Sequence, residues 1–382
     1  MEKVHVLSGI DRISLADDVL MGKRVGLMTN PTGIDHNLRS TVDIVAERYQ
    51  LTALYAVEHG IRGDIQAGGK VVDTTDPDTG VPVFSAFGET SHFTPEMLDA
   101  FDVLVFDIQD VGARFYTYLY SLAYAMEACN RAGKAMVVLD RVNPLGGIRH
   151  GGTVLDRRFA SFVGDYELPT QYALTIGEFA LYVRDYLGLS LPLTVVPLLG
   201  WQRSLRLDET DLPWVAPSPN CQNLDAALCY IGTCIFEGTN VSEGRGTTIP
   251  FQVVGAPWLN PGGLEKRMAD VSTPGIRFRR ASFCPTFSKH QGQLCGGVQM
   301  HIIDRDAADV FAAGLLLLEE IRKMSGDAFR FLSSGSGSFF IDKLLGTDAL
   351  RTGRLSTQEL ILSSREPVEA FIRNTQKYHL YS

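Results

Sequence analysis

In the first part of the chain, short unbroken apolar runs alternate with longer segments in which apolar residues recur at helical spacing. Arg24 to Asn30 is one such run and ends in the turn Asn30-Pro31-Thr32-Gly33. Thr41 to Tyr49 has the helical period, with Val42, Ile44, Val45 and Tyr49 on its apolar side. Leu51 to Val57 is a second strand, closing on Glu58-His59-Gly60, and Val81 to Phe87 reads as a short one. Thr94-Pro95-Glu96 opens a helix, because a threonine N-cap followed by proline at the first helical position satisfies a helix start. Val103 to Ile108 is apolar throughout, the pattern of a strand covered on both faces. Arg114 to Ala132 predicts a long helix, and Ala135 to Leu139 a further strand before Asp140-Arg141.

Strand and helix in alternation, with near-continuous apolar strands, predict an α/β fold with a doubly wound parallel sheet. In such sheets ligands sit beyond the carboxyl ends of the strands. The polar residues that follow each strand are therefore the first site candidates: Asn30, Glu58 and His59, Asp107, Gln109 and Asp110, and Asp140, Arg141 and Asn143. The stretch 190–222, rich in proline and tryptophan, reads as a connection. A helix is expected near Ala226 to Ile235, a strand near Gly297 to Ile303, a helix from Ala307 to Met324 and a flexible loop at Ser333 to Ser338. The division expected is an N-terminal sheet domain over 1–215 and a smaller α/β domain over 216–382, with a cleft between them.

Composition narrows the partners. With 382 residues and a 45% hydrophobic fraction the chain has the make-up of an ordinary globular protein. A formal net charge of -9 disfavours both nucleic acid and an anionic membrane surface as partners. No apolar run approaches the roughly 20 residues of a membrane helix, and the N-terminus has no secretory h-region, which gives a cytoplasmic expectation. The six cysteines form no C-x-x-C pair, the eight histidines are scattered without H-E-x-x-H, and no G-x-G-x-x-G follows the first strand. No metal and no cofactor is expected.

Chemistry concentrates at a few places. Glu58 ends an apolar strand, and a partly desolvated carboxyl there suits a general acid near neutral pH. The plain alternative is a structural Glu58, either capping a helix or salt-bridged to Arg62. Asp110 is either an N-cap or a second carboxylate opposite Glu58, the pairing that glycoside hydrolysis uses. Tyr116 and Tyr118 fall nearest the expected cleft, where a sugar ring finds a stacking face or a hydroxyl partner, with Arg114 just before them. The run from Glu237 to Thr248 is the densest polar segment; its Glu237, Asn240, Glu243 and Arg245 supply directional hydrogen bonds, and Arg245 suits a bidentate grip on a carboxylate. Asn220, in Ser218-Pro219-Asn220, is a weaker candidate of the same kind.

Six long segments in order carry a resemblance: Val57-Glu58-His59-Gly60-Ile61-Arg62-Gly63, Phe106 to Tyr118, Leu139 to Gly147, Pro217 to Asn220, Phe236 to Thr247 and Cys295 to Gln299. Together they resemble the NamZ-type exo-β-N-acetylmuramidases, over nearly the whole chain. The resemblance implies a Rossmann-like N-terminal domain and a glycoside hydrolase that removes N-acetylmuramic acid from the non-reducing end of peptidoglycan fragments. It places the catalytic glutamate at Glu58 and a tyrosine role at Tyr116 or Tyr118. Val57 and Val142 stand where many members of the family carry proline. A non-catalytic receptor for muropeptides or amino sugars is the rival expectation, separable by turnover.

Overall fold

The computed structural model describes residues 3–62, 74–86, 93–334 and 337–382. Gly63, Phe87 and part of the Ser333–Ser338 loop lie outside them. A short helix α1 (Asp17–Leu20) leads into β1 (Arg24–Thr29), α2 (Thr41–Arg48) and β2 (Gln50–Ala56). There follow β3 (Thr74–Thr75), β4 (Pro82–Ser85), α3 (Pro95–Asp99), β5 (Val103–Asp107), α4 (Tyr118–Ala132), β6 (Ala135–Leu139), α5 (Ile176–Tyr186) and β7 (Leu193–Val196). These strands form one seven-stranded sheet in the order β3-β4-β2-β1-β5-β6-β7, parallel except for β3 against β4.

The apolar runs dictate this. β5 is buried along its whole length, and β1 and β6 from their second residues onward, as strands covered by helices on both faces must be. Each fully buried Val, Leu or Phe side chain contributes about 1.5–3 kcal/mol of hydrophobic stabilisation before entropy is counted. The chain moves outward from β1 to β2 and β4, then returns to β5 and moves the other way. The strand order therefore reverses between β1 and β5, where a ligand crevice is expected.

A second, three-stranded antiparallel sheet, β8-β10-β9, is built from β8 (Val253–Ala256), β9 (Ile276–Phe283) and β10 (Cys295–Ile302). Around it lie α6 (Leu224–Thr233), α7 (Pro261–Ala269), α8 (Val310–Ser325), α9 (Phe340–Leu345), α10 (Thr357–Ser363) and α11 (Arg365–Thr375). Helices α6 and α8 cross closely because Gly232 and Gly314 face each other. A Cβ on Gly314 would lie 2.0 Å from the Gly232 carbonyl oxygen, so only glycine fits. One apolar cluster runs without a break from Met28 to Tyr378, joining the two sheets through α4, α5 and α6.

Two expectations need correction. The helix predicted from Arg114 begins only at Tyr118, since residues 113–117 form a buried turn whose Arg114 amide donates to the Thr170 carbonyl at 2.8 Å. The stretch 190–222 is more than a connection: Leu193-Thr194-Val195-Val196 pairs with β6 as the edge strand β7. Pro192 and Pro197 on either side mask its β-branched run, although they merely punctuate it.

Candidate active site

Beyond the carboxyl end of β2 lies a pocket of about 190 Å³. Glu58 and His59 form one wall, the turn before α4 (Phe115, Tyr116, Thr117 and Tyr118) another, and Ser218, Tyr230, Glu237, Arg245 and Phe251 close it from the second half of the chain.

Glu58 reaches the pocket through a tight turn. The Gly60 amide donates to the Val57 carbonyl at 3.0 Å, and His59, third in the turn, has a left-handed φ of 74°. That place normally belongs to glycine, and a side chain there costs about 1–2 kcal/mol. The fold holds this strain in a residue that lines the pocket, as functional sites often do. Phe251, also in the lining, is strained in the same way with φ 64°. The half-buried Glu58 carboxylate accepts a 2.7 Å hydrogen bond from the Thr117 hydroxyl, which aims it into the pocket.

The aromatic wall is a packed set. Tyr116 and Tyr118 meet edge to face at 4.9 Å, Tyr230 meets Phe251 at 4.5 Å, and Phe115 meets Tyr230 at 4.9 Å. Tyr118 donates to the Pro217 carbonyl at 2.5 Å. The buried Tyr116 hydroxyl has Ser218 and Tyr118 beside it but none in hydrogen-bonding geometry among the described residues. Burial pushes both phenols up, so they remain protonated donors. The Nδ2 groups of Asn220, next to Cys221 of the wall, and of Asn30, which lies beside Tyr118 but lines a separate cavity, are also buried without an acceptor in hydrogen-bonding geometry among the described residues. Leaving a buried donor unpaired costs about 1–3 kcal/mol, a cost that a polar ligand would remove.

Opposite Glu58 stands a four-charge network. Arg245 contacts Glu237 at 2.7 Å and Glu243 at 3.5 Å, and Lys289 contacts Glu243 at 2.8 Å. Lys289 also donates to the carbonyls of Phe236 and Val241. The Arg245 guanidinium lies 5.1 Å from the Phe251 ring centre. Burial pushes the Glu237 carboxyl above its ordinary value, Arg245 pulls it back and Glu243 adds to the rise.

Of the residues singled out from the sequence, Glu58, His59, Tyr116, Tyr118, Glu237 and Arg245 line this pocket, Glu243 backs it and Asn220 sits beside Cys221 in its wall. The others lie elsewhere. Arg62 pairs with Asp76 and Asp78 over a separate cavity. Asp110 is buried; its Oδ2 accepts from the Gly112 amide at 2.6 Å and from the Tyr172 hydroxyl, its Oδ1 has no partner in hydrogen-bonding geometry among the described residues, and burial pushes the carboxyl to about 7. Gln109 donates to the carbonyls of Asp110 and Val142. Arg114 is wholly buried; it donates to Thr153, Leu168 and Leu344 carbonyls, which ties the first half to α9, and burial lowers it to about 10. Arg141 makes a bidentate pair with Asp107 at 2.6 and 2.8 Å. Asp140 holds Thr175, the Gly177 amide and Tyr381 and is raised by burial to about 7. Asn143 bridges Leu145 and Leu174, and Asn240 bridges Ala328 and Arg330. Sequence reasoning missed Thr117, Tyr230 and Phe251; only Tyr230, a hydroxyl in the apolar helix α6, left a signal.

Fold and pocket together define the class: an α/β protein with a pocket beyond its parallel sheet lined by a carboxylate, tyrosines and an arginine. The chain belongs to the NamZ family. Residues 25–225 match the N-terminal part of the exo-beta-N-acetylmuramidase NamZ and residues 228–381 its C-terminal part. It is 45% identical to the peptidoglycan beta-N-acetylmuramidase NamZ of Bacillus subtilis (strain 168), covering 100% of this chain and 92% of that protein. Two crystal structures of DUF1343 family proteins from Bacteroides fragilis share the fold. One has TM-score 0.89 at 34% identity over 100% of both chains; the other has TM-score 0.77 at 29% identity over 99% of both.

Proposed function

We propose that the protein is an exo-acting glycoside hydrolase that releases terminal non-reducing N-acetylmuramic acid from peptidoglycan fragments, with the Glu58 pocket as its active site. The observation that carries this is the coincidence of Glu58 and Arg245 in one aromatic-lined pocket, in a chain matched end to end by the family. Glu58, aimed by Thr117, donates its proton to the glycosidic oxygen as the bond to the anomeric carbon breaks, and water supplies the hydroxyl that the anomeric carbon gains and the proton that restores Glu58. The Tyr116 hydroxyl, which has no partner in hydrogen-bonding geometry among the described residues, gains an acceptor in a sugar oxygen.

Muramic acid differs from glucosamine by a lactyl carboxylate. Arg245 and Lys289 already balance Glu237 and Glu243, so another anion enters only if one carboxylate gives way. In our reading Glu237, already displaced upward by burial, takes up a proton, and Arg245 turns to the lactyl group. The test compares para-nitrophenyl β-N-acetylmuramide with the corresponding glucosaminide. The parent releases nitrophenol from the muramide and prefers it, while Arg245→Lys loses most of the preference by raising KM. Absence of release by the folded parent refutes the muramidase reading, and an undiminished preference in Arg245→Lys removes Arg245 from recognition.

A further inference from the structure

Outside the lining of the Glu58 pocket, three segments distant in sequence bring two imidazoles and a carboxylate together. His5 Nδ1 lies 2.6 Å from Asp211 Oδ2, and His36 Nε2 lies 3.7 Å from the same oxygen. The two rings meet edge to face at 4.8 Å. One ligand atom from each of the three residues falls within 4.8 Å of the other two. We propose that His5, His36 and Asp211 form a zinc-binding site that fastens the N-terminal segment to the sheet domain.

The backbone around each residue is already fixed. Val4 and Thr210 form a parallel bridge: the Val4 amide donates to the Glu209 carbonyl and the Asp211 amide to the Val4 carbonyl, each at 2.9 Å. This sets His5 and Asp211 side by side. The Val6 amide donates to Asp211 Oδ1 at 3.0 Å, so the second carboxylate oxygen is turned toward the imidazoles. His36 is held by its own amide, which donates to Asp11 at 2.7 Å, within a turn whose Asn37 and Arg39 amides both bind Asp35. A ligating carboxylate is oriented by a hydrogen bond to its other oxygen, as the Val6 amide orients Asp211.

The ligand set suits a borderline cation. Two neutral imidazoles and one carboxylate match zinc, whose bonds to nitrogen and oxygen run at roughly 2.0–2.2 Å. Ligand atoms on a tetrahedron of that size stand roughly 3.3 Å apart. The separations of 2.6 and 3.7 Å from the two imidazoles to Asp211 bracket that value, and all three ligand atoms lie within 4.8 Å of one another, so small side-chain movements bring them to it. Zinc would take the place of the proton between His5 and Asp211 and draw in His36, and water completes the fourth position, since His5 is exposed. The Nδ1 atom of His36 has no hydrogen-bond partner among the described residues, so the ring is not committed to the fold through that atom.

The test is calorimetric titration of zinc chloride into the tag-free full-length protein at neutral pH, with thermal melting in parallel. The parent binds one zinc per chain, its Tm rises with zinc, and excess chelator reverses both. His5→Ala and His36→Ala, both on surface-accessible side chains, keep the parent's metal-free Tm and lose the saturable binding and the Tm rise. A parent that binds no zinc saturably, or variants that both bind it as the parent does, would overturn the proposal.

Discussion

Two groups of polar side chains stand at the carboxyl ends of the same parallel sheet, and they differ in what their hydrogen-bonding atoms are doing. At the reversal of strand order, Asp107 and Arg141 satisfy each other, with Thr41 on Asp107 and the Ile34 carbonyl on Arg141. Asp140 and Asn143 are equally committed to α5 and its approach. Beyond β2, the Tyr116 hydroxyl is buried with no partner in hydrogen-bonding geometry among the described residues, and His59 holds an unfavourable backbone conformation. The first group uses its charges to fix the sheet's crossovers; the second keeps groups in reserve. Both groups stand at strand ends, where a ligand can bind, and the state of these particular hydrogen bonds distinguishes the Asp107–Arg141 brace from the Tyr116 wall of the pocket.

The largest effect that separates the two groups is on stability. Arg141→Ala leaves the Asp107 carboxylate buried without its cation and should cost about 3–5 kcal/mol. Chemical denaturation reads this, and kcat/KM per folded molecule should stay within about threefold of the parent, a loss of roughly 0.7 kcal/mol at most. Tyr116→Phe should behave in the opposite way. It removes a buried hydroxyl that has no partner in hydrogen-bonding geometry among the described residues, so stability holds or rises slightly, while kcat/KM drops about tenfold if that hydroxyl binds the sugar. Denaturation and steady-state rates on the muramide, measured side by side, show whether the two quantities part as expected. The smallest effect concerns the turn: His59→Gly relieves the left-handed strain and should stabilise by about 1 kcal/mol, offset in part by the entropy of the added glycine. Its Tm should not fall, and a fall would mean that the imidazole's contacts outweigh the strain.

The fold was largely legible because parallel strands buried on both faces leave unbroken apolar runs, as β1, β5 and β6 do. β7 escaped because its four residues lie between two prolines, and β8 and β9 because short or exposed antiparallel strands leave weak patterns. Glu58 and Arg245 were visible as charges in unusual places. That Asp110, Arg114 and Asp140 point into buried networks was not visible, because the sequence gives residue types and not which atoms meet. Tyr172, Leu344 and Tyr381, the groups that engage those three, lie far along the chain from them.

The most direct measurement is kcat/KM and the denaturation midpoint of Glu58→Gln on para-nitrophenyl β-N-acetylmuramide, beside the parent. Glutamine keeps an acceptor for the Thr117 hydroxyl and removes the transferable proton. The account predicts an unchanged midpoint with turnover reduced about 10²–10⁴-fold, the usual contribution of a general acid. Turnover within a few fold of the parent would contradict it, because Glu58 would then be a brace like Asp107.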